Sequence, residues 1–374
     1  MQFLTRELAQ EIVERTMSIL NRNINVMNES GVIIGSGDPE RIGQLHDGAL
    51  LVLRTGERVE IDQLRAAELK SSRPGINLPI SFNGQTVGVV GITGEPEDIR
   101  NYAELVRMAA ELVLEQSFLL ENVQWKQRIQ NDIVNQLISE ENVDEESVIE
   151  RARAVGIALR QPRMVIVLDG PDSTEAAVQK RVRAVQYEVG RSDLIGVTFN
   201  HEIVILKSVP EAPQAQNTEL TLFLKRLLQV AGGSVLIGCG SLAERPKGLQ
   251  ASFNQARSAI QVGGRLRAGA RVYRYEDYRL EIMLSQLAWE EEDQQAFAFY
   301  EQLLGHEKKG ELAHTLEVFI EEGGELHSIA ERLFIHRNTL RYRLDKITEL
   351  TGRDPRNLKG LMELYIARLW HHLR

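Results

Sequence analysis

The stretch LFIHRNTLRYRLDKI, residues 333–347, concentrates positive charge in a chain that is acidic as a whole. All 374 residues together carry a formal net charge of −9 at pH 7. Residues 325–374, however, contain ten lysines and arginines against six acidic residues, which gives +4 there and leaves −13 for the remainder. Such a local excess of positive charge is either a solvated surface or a docking face for phosphates. In the second case, the acidic remainder of the chain would repel phosphates from the rest of the surface.

The apolar residues around this stretch predict two short helices joined by a tight turn. Leucine and isoleucine at three- and four-residue steps indicate one helix over about 326–333 and a second from about 337 or 338 to 350. We expect Asn338 to cap the second helix and Gly352 to end it. Phe334 stands in the connector, where many such turns carry glycine. Two helices with so short a connector are typical of a helix-turn-helix.

The polar side of the second helix offers groups that can read DNA. Its N-terminal residues would meet base edges, while flanking basic groups would hold phosphates. Arginine can bind guanine through two hydrogen bonds, and asparagine can bind adenine in the same way. The candidate DNA-binding residues are His336, Arg337, Asn338, Thr339, Arg341, Tyr342, Arg343 and Lys346. The alternative is an ordinary basic amphipathic helix within a helical domain.

The N-terminal third predicts a small antiparallel sheet with one covered face. The predicted elements are a helix over 5–21, strands over 23–28 and 31–36, a helix over about 43–54, strands over 57–61, 76–82 and 86–92, and a helix from near Glu97 to beyond residue 130. Asn83-Gly84, between the last two strands, is a strong hairpin signal.

Such a sheet, crossed by loops, is a natural pocket for a small molecule. Carboxylates bind best to arginine, to backbone N–H groups and to serine, asparagine or histidine donors. The polar candidates in the irregular parts are Ser36, Asp38, Arg41, His46, Lys70, Ser71, Ser72, Arg73 and Asn77. Two such clusters would suit a ligand with a carboxylate at each end. From the residues alone, Arg41 and His46 could equally be surface or capping residues.

Residues 162–276 alternate strands and helices. The predicted order is a strand in PRMVIVLDG, a helix over 174–190, a hairpin in DLIGVTFNHEIVILKS, a helix over 216–231, a strand in GSVLIGCGS, a helix over 247–262 and a strand in RVYRYED. The pairs Gly232-Gly233 and Gly263-Gly264 are expected in connectors, where they would end helices. Between the N-terminal sheet and this middle region, the apolar spacing of residues 98–138 predicts one helix of about 60 Å. That helix is either a dimer seam or packed within its own domain.

The remaining composition narrows the class of protein. A single cysteine, Cys239, excludes an internal disulfide framework and fits a reducing cytosol. The charged N-terminus does not read as a signal peptide, and no apolar run is long enough to span a membrane. The histidines lack cysteine or carboxylate partners at metal spacing, so we expect no metal. The chain also has no GxxxxGK(S/T) and no GxSxG motif, and we expect no cofactor and no catalytic residues. We therefore expect a cytoplasmic protein without membrane contact.

Three parts of the chain resemble one family of bacterial transcription regulators. GELHSIAERLFIHRNTLRYRLDKITELTGRDPRN, 324–357, closely resembles the C-terminal helix-turn-helix of the PucR and CdaR group. Residues 1–135 resemble the sugar-diacid recognition domain of the CdaR family through NVMNESGVIIGSGDPERIGQLHDGA and PGINLPISFNGQTVGVVGITGEPEDIRNYAELV. Residues 162–276 resemble the GGDEF-like domain in the middle of CdaR regulators.

The resemblance implies a fold and a set of ligand-binding residues. The sensor would be PAS- or Cache-like and would bind small hydroxylated carboxylates such as glucarate, galactarate or glycerate. An Arg-x-x-x-x-His motif found near the pocket in related sensors corresponds to Arg41 and His46 in this sequence. The candidate ligand-binding residues are Ser36, Arg41, His46, Arg73, Gly75, Ile76 and Asn77. Where an active cyclase carries its Gly-Gly-Asp/Glu-Glu-Phe turn, this chain reads TFNHEIVIL with only Glu202 as a nearby acid, which implies an inactive scaffold.

The predicted fold class is α+β and multidomain. The expected domains are a PAS/Cache-like sensor over 1–138, a ferredoxin-like, degenerate GGDEF-like domain over 145–277 and an all-α helix-turn-helix domain over 280–374. The expected function is a ligand-responsive DNA-binding transcription regulator, an activator of genes for uptake or catabolism of sugar diacids or related hydroxy-acids. The expected partners are double-stranded DNA, an organic diacid or hydroxy-acid effector and a second copy in a homodimer. The alternatives are a nucleotide-binding or cyclase-type enzyme of the GGDEF class, an enzyme acting on the diacid, and an adaptor whose helix-turn-helix meets protein.

Overall fold

A computed structural model describes residues 3–69, 73–139, 144–210, 213–287, 297–306 and 310–373. The chain divides into two compact units, Met1–Gln127 and Arg128–Arg374. Each unit contains a five-stranded sheet with helices, so the predicted α+β class is confirmed. Among the helices of the described residues, none has the length and apolar character that crossing a bilayer would require.

The first unit is built on an antiparallel sheet. Its elements are α1 (Arg6–Leu20), β1 (Ile24–Asn28), β2 (Ile33–Ser36), a 3-10 helix (Pro39–Arg41), α2 (Asp47–Thr55), β3 (Val59–Ile61), α3 (Gln63–Glu68), β4 (Gly75–Phe82), β5 (Gln85–Thr93) and the start of α4 (Pro96–Ile138). The strand order is β2-β1-β5-β4-β3, and all four pairings are antiparallel. Asn83 and Gly84 both have positive φ, of 49° and 78°, which confirms the predicted two-residue hairpin.

Both faces of this sheet are covered. Because strand side chains alternate, Val26, Leu78 and Val90 point to the face where α1 and α4 pack. On the opposite face Met27, Ile33 and Val89 pack with Ala49 and Val52 of α2. The prediction of one covered face is therefore wrong, since a short helix closes part of the second face.

The second unit begins with a mixed sheet. Its elements are α5 (Glu145–Ala154), β6 (Arg163–Asp169), α6 (Glu175–Gln186), β7 (Leu194–Val197), β8 (Ile203–Ser208), α7 (Pro213–Val230), β9 (Leu236–Ala243), α8 (Gly248–Leu266), β10 (Val272–Arg274) and α9 (Arg279–Ser285). The strand order is β10-β9-β6-β8-β7, with β10 and β9 parallel and the other pairs antiparallel. One face packs with α8, α5 and the end of α4, and the other with α6 and α7.

Five further helices form a separate apolar cluster. They are α10 (Ala298–His306), α11 (Glu311–Glu321), α12 (Leu326–Arg332), α13 (Arg337–Thr351) and α14 (Leu358–Leu373). Ile329 of α12 and Leu340, Leu344 and Ile347 of α13 are buried in this cluster. The two helices predicted from 325–350 are thus confirmed, and Gly352 ends α13 with φ 67°.

Several local predictions differ from the structure. Helix α2 begins at Asp47 instead of residue 43, because the preceding residues are extended and bonded to the start of β2. Asn338 does not cap α13, since His336 takes that position and its Nδ1 accepts from the Asn338 N–H at 3.2 Å. Helix α3 was not expected, because it is short and none of its residues is buried.

The two glycine pairs behave differently. Gly232 follows α7 with φ 96°, as predicted for a helix end. Gly263 and Gly264 lie inside α8, so the prediction that they form a connector is wrong. A Cβ on Gly263 would stand 2.4 Å from Cδ1 of Tyr273, so this glycine lets a buried tyrosine ring pack against the helix.

The turn between α12 and α13 holds Phe334 in the left-handed region. Its φ is 54°, and its side chain is 96% exposed. Phe334 therefore occupies a position that needs positive φ, which agrees with the glycine found there in many such turns. A non-glycine residue there costs about 1–2 kcal/mol, and no packing of the phenyl ring offsets this.

Replacing Phe334 by glycine should stabilise the protein. Relief of the left-handed strain outweighs the greater chain entropy of glycine, which leaves a net gain of about 0.5–1 kcal/mol. Urea unfolding followed by circular dichroism measures the gain. Phe334→Ala, which keeps a Cβ, serves as the control and should show none. A less stable Phe334→Gly variant would mean that the phenyl ring makes a stabilising contact.

Candidate functional site

A row of polar residues crosses the first sheet on the face that α2 covers. Strand register makes Ser36, Asn25, Gly91 and Asn77 successive neighbours across β2, β1, β5 and β4. Directly paired residues point to the same face, so the three polar side chains lie together, with the glycine leaving a gap between the two asparagines. All three polar residues are buried.

Hydrogen bonds fix one end of this row. The Ser36 hydroxyl donates to Oδ1 of Asn25 at 2.6 Å and accepts from the N–H of Asp38 at 3.0 Å. Asn23 donates to the same Asn25 oxygen at 3.4 Å. The Ser36 hydroxyl and the Asn25 amide are therefore oriented by the fold itself.

Two glycines make room for Asn77 at the other end. A Cβ on Gly48, in the first turn of α2, would stand 2.7 Å from Nδ2 of Asn77. A Cβ on Gly91 would stand 2.6 Å from Oδ1 of the same side chain. The amide of Asn77 thus lies between β5 and the N-terminus of α2, where backbone N–H groups and the helix dipole favour anions.

The segment before α2 is pinned to the start of β2. The His46 N–H donates to the Gly31 carbonyl at 2.9 Å, the Gly43 N–H to Ile33 at 2.8 Å, and the Ile33 N–H to Gln44 at 2.9 Å. This pairing carries the chain from the 3-10 helix, which contains Arg41, to the cap of α2. Both Arg41 and His46 are buried as a result.

His46 is buried in its neutral form. Its Nδ1 accepts from the Ala49 N–H at 3.2 Å and so caps α2. Burial, and then the charge of Arg41, lower the pKa of His46 from 6.5 to about 4. At neutral pH the imidazole therefore carries its proton on Nε2, and that N–H is a donor. The capping alternative is correct for His46, but the surface alternative is not.

Arg41 lies in an environment that disfavours its charge. Burial lowers the pKa of its guanidinium, repulsion from Arg73 lowers it further, and Asp38 opposes both. Arg73 is itself exposed and lies 3.5 Å from the Asp38 carboxylate. A carboxylate ligand between the two guanidinium groups would favour their charged forms.

The structure gathers most of the predicted ligand residues and separates one. The groups just described contain Ser36, Arg41, His46, Arg73 and Asn77. Gly75 is the first residue of β4, and a Cβ there would stand 2.4 Å from the Ile92 carbonyl oxygen. The side chain of Ile76 lies on the opposite face, in the core formed with α1 and α4. Lys70, Ser71 and Ser72 lie outside the described residues.

Sequence reasoning missed Asn25, Gly48 and Gly91. Asn25 had a signal, because it is a polar residue inside the apolar strand INVM. The two glycines had none, since their importance comes from a neighbour that register and helix packing bring close.

The helix-turn-helix exposes the N-terminal part of α13. Leu340, Leu344 and Ile347 anchor the helix in the apolar cluster, so the other side faces outward. The exposed candidates are His336, Arg337, Asn338, Thr339, Arg341 and Tyr342. Arg337 and Arg341 are one turn apart and therefore share a side of the helix.

The other two basic candidates contact acidic residues of the protein. Arg343 donates to the Glu311 carboxylate at 2.6 Å and to the Thr315 hydroxyl at 3.2 Å, which ties α13 to α11. Lys346 lies 2.9 Å from Glu349 on its own helix. Arg337 and Arg341 are therefore better placed to meet DNA than these two.

Known protein families match the chain in three consecutive parts. A sugar diacid recognition model matches residues 4–137, a GGDEF-like domain matches 139–262, and a PucR C-terminal helix-turn-helix domain matches 312–370. These three matches cover the sensor-like sheet, most of the mixed sheet and the helix-turn-helix.

Relatives match along the whole chain or most of it. The carbohydrate diacid regulator of Escherichia coli is 36% identical over 376 residues, covering 97% of each chain. The purine catabolism regulatory protein of Bacillus subtilis is 24% identical, covering 65% of this chain and 49% of its own length. The proline-responsive transcriptional activator PutR of the same organism is 23% identical, covering 65% and 62%.

The neutral state of His46 predicts a pH-dependent stability. Below pH 6.5 the unfolded chain binds a proton that folded His46 does not accept until about pH 4, so stability falls as the pH falls through this window. Between pH 7 and about pH 5 the loss should reach about 2 kcal/mol.

The matched variant is His46→Asn, which keeps a capping acceptor but does not titrate. Urea unfolding at the two pH values should show a smaller loss in this variant than in the wild type. An equal loss in both proteins would mean that His46 titrates normally in the folded state.

Proposed function

We propose the following function from one premise: the chain belongs to the carbohydrate diacid regulator family. It is a ligand-responsive transcription regulator that binds an organic diacid or hydroxy-acid at one end of the chain and DNA at the other. The effector class is that of glucarate, galactarate and glycerate. The regulated genes serve uptake or catabolism of these acids, and the protein acts as an activator.

The observation that carries the ligand proposal is the polar cluster of the first sheet, which is buried except for Arg73. Arg41 and Arg73 suit one carboxylate, and the Nε2–H of His46 and the N-terminus of α2 suit negative charge as well. The row of Ser36, Asn25 and Asn77 supplies hydroxyl and amide groups that can hydrogen-bond the hydroxyls of a sugar acid. A purely apolar ligand could make no hydrogen bonds or ion pairs with these groups.

The finer fold and domain boundaries belong to the same proposal. The order β2-β1-β5-β4-β3 supports a PAS- or Cache-like sensor over 1–138. Four antiparallel strands with helices support a ferredoxin-like, GGDEF-like domain over 145–277, and the helical cluster supports a helix-turn-helix domain over 280–374. We place the protein in the cytoplasm, where its DNA target lies.

The middle domain acts as a scaffold and not as an enzyme in this proposal. Glu202, the one acid near the hairpin that an active cyclase would use, lies 3.0 Å from Arg257 and 3.2 Å from the Thr198 hydroxyl. Its carboxylate is thus already engaged in holding the hairpin to α8. Turnover of GTP or of glucarate by the purified protein would contradict this part of the proposal.

On the DNA side, α13 enters the major groove with its N-terminal end. Asn338, Arg341 and Tyr342 are the candidates for base edges, while His336, Arg337 and Thr339 hold the backbone. Arg343 and Lys346 have the lesser part, since each already pairs with a carboxylate of the protein. Two copies of the chain read a symmetric site, and effector binding shifts the pair because its affinity for the two arrangements differs.

Loss of the central ligand groups should weaken effector binding. In a calorimetric screen of glucarate, galactarate and glycerate, Arg41→Ala and His46→Asn should weaken the affinity for the cognate acid at least tenfold, as expected for lost charge-assisted hydrogen bonds. Arg54→Ala, which removes an exposed positive charge at the end of α2, should bind like the wild type. Wild-type affinity in both site variants would move the pocket elsewhere.

Loss of the exposed arginines should weaken DNA binding without affecting the sensor. In fluorescence anisotropy with DNA from upstream of its own gene, the double variant Arg337→Ala/Arg341→Ala should bind at least tenfold more weakly and show a smaller salt dependence.

The control variant Lys180→Ala/Arg183→Ala removes the same charge from exposed positions of α6. It should bind nearly as the wild type does. Equal DNA affinity of the two double variants would refute the groove assignment, and wild-type binding that does not weaken with salt would favour the adaptor alternative.

A further inference from the structure

Helix α4 carries a second apolar stripe that the fold of the first unit does not use. Its inner stripe, which includes Ile99, Ala103 and Val106, is buried in the core of the sheet. On the outer side the large apolar residues between 102 and 123 are 49–63% exposed. A helix with one apolar side against its own domain needs no second one for folding.

The outer residues follow a heptad repeat. Steps of three and four alternate along Tyr102, Leu105, Ala109, Leu112, Leu119 and Val123, and Gln116 fills the one vacant position. This spacing is the signature of a coiled-coil seam, whereas scattered surface apolar residues show no such period. The seam spans three heptads, or about 32 Å of helix.

We infer that this outer face of α4 is the interface with a second copy of the chain, in a parallel, in-register coiled coil. The inference deepens the homodimer in the proposed function and rests on it. A heptad seam is self-complementary about a two-fold axis, because each layer is made by one residue and its own copy.

The residues of the seam favour a parallel pair of helices. Leu105, Leu112 and Leu119 occupy the d positions, and Val123 occupies one of the four a positions. Leucine at d with a β-branched residue at a favours parallel dimers. Gln116 stands at an a position, where a polar side chain that meets its own copy fixes register. A parallel pair also brings the two C-terminal ends of α4 together, as two readers of one symmetric site require.

Engineered cysteines test this arrangement directly. The chain has one natural cysteine, Cys239, and it is buried, so background cross-linking is low. In the parallel seam, residue 116 meets its own copy, and Gln116→Cys should form a disulfide-linked dimer on mild oxidation in most of the protein. Glu121→Cys lies at an f position on the side away from the seam and should stay largely uncrosslinked.

A second pair of variants tests the apolar contact. Leu112→Arg/Leu119→Arg should convert the full-length dimer to a monomer by light scattering, with an unchanged helical circular dichroism spectrum because both side chains are exposed in the single chain. Gln124→Arg, exposed at a b position, is the matched control and should remain dimeric. The monomeric variant should still bind the effector.

A monomeric wild type, or a dimer that Gln116→Cys does not cross-link more than Glu121→Cys, would overturn the inference. Dimers that persist in Leu112→Arg/Leu119→Arg would do the same. Failure of the ligand proposal would appear differently, as the absence of effector binding in the wild type, and would leave these outcomes unchanged.

Discussion

One continuous helix, α4, contributes to the core of each unit, and the rest of the structure depends on it. Ile99, Val106 and Leu114 complete the core of the first sheet, while Ile133, Val134 and Leu137 complete a core of the second unit. A helix buried at both ends cannot rotate or slide at one end without repacking there. Each end of α4 is therefore fixed in the core of its own unit.

The attachment of α4 to the second unit is specific as well as apolar. Asn131 accepts a hydrogen bond from the Val197 N–H at 2.7 Å, and Asn135 donates to the Val197 carbonyl at 3.0 Å. These two side chains pair with the edge strand β7 as a neighbouring strand would, which fixes the register of the helix on the sheet. The same contacts hold the hairpin that carries the catalytic turn in active cyclases, so this hairpin has a structural role here.

Local rules explain why much of the fold could be predicted. The Asn83-Gly84 hairpin, the two helices of 325–350 and the long α4 each follow from spacing or turn chemistry within one segment. The errors arose where a distant residue decides the outcome. Gly263 and Gly264 lie within α8, where Tyr273 packs against Gly263. Nor could the sequence show that Arg343 pairs with Glu311, 32 residues earlier in the chain; Arg343 stays a predicted DNA-binding residue. The family resemblance, and not chemistry alone, singled out Arg41 and His46. Ser36 and Asn77 were also candidates, but their alignment with Asn25 in one row depends on strand register, which one sequence alone does not provide.

In the proposed regulator, an anion in the sensor and DNA at α13 bias one equilibrium. Reciprocal binding measures this coupling most directly. The affinity for the cognate acid is determined by calorimetry with and without saturating operator DNA, and the affinity for DNA is determined with and without the acid. Linkage requires the two affinities to change by the same factor, which for allosteric coupling in general is about 5–150-fold. If saturating DNA leaves the affinity for the acid unchanged, and the acid leaves the affinity for DNA unchanged, the account of this protein as an effector-controlled regulator is contradicted.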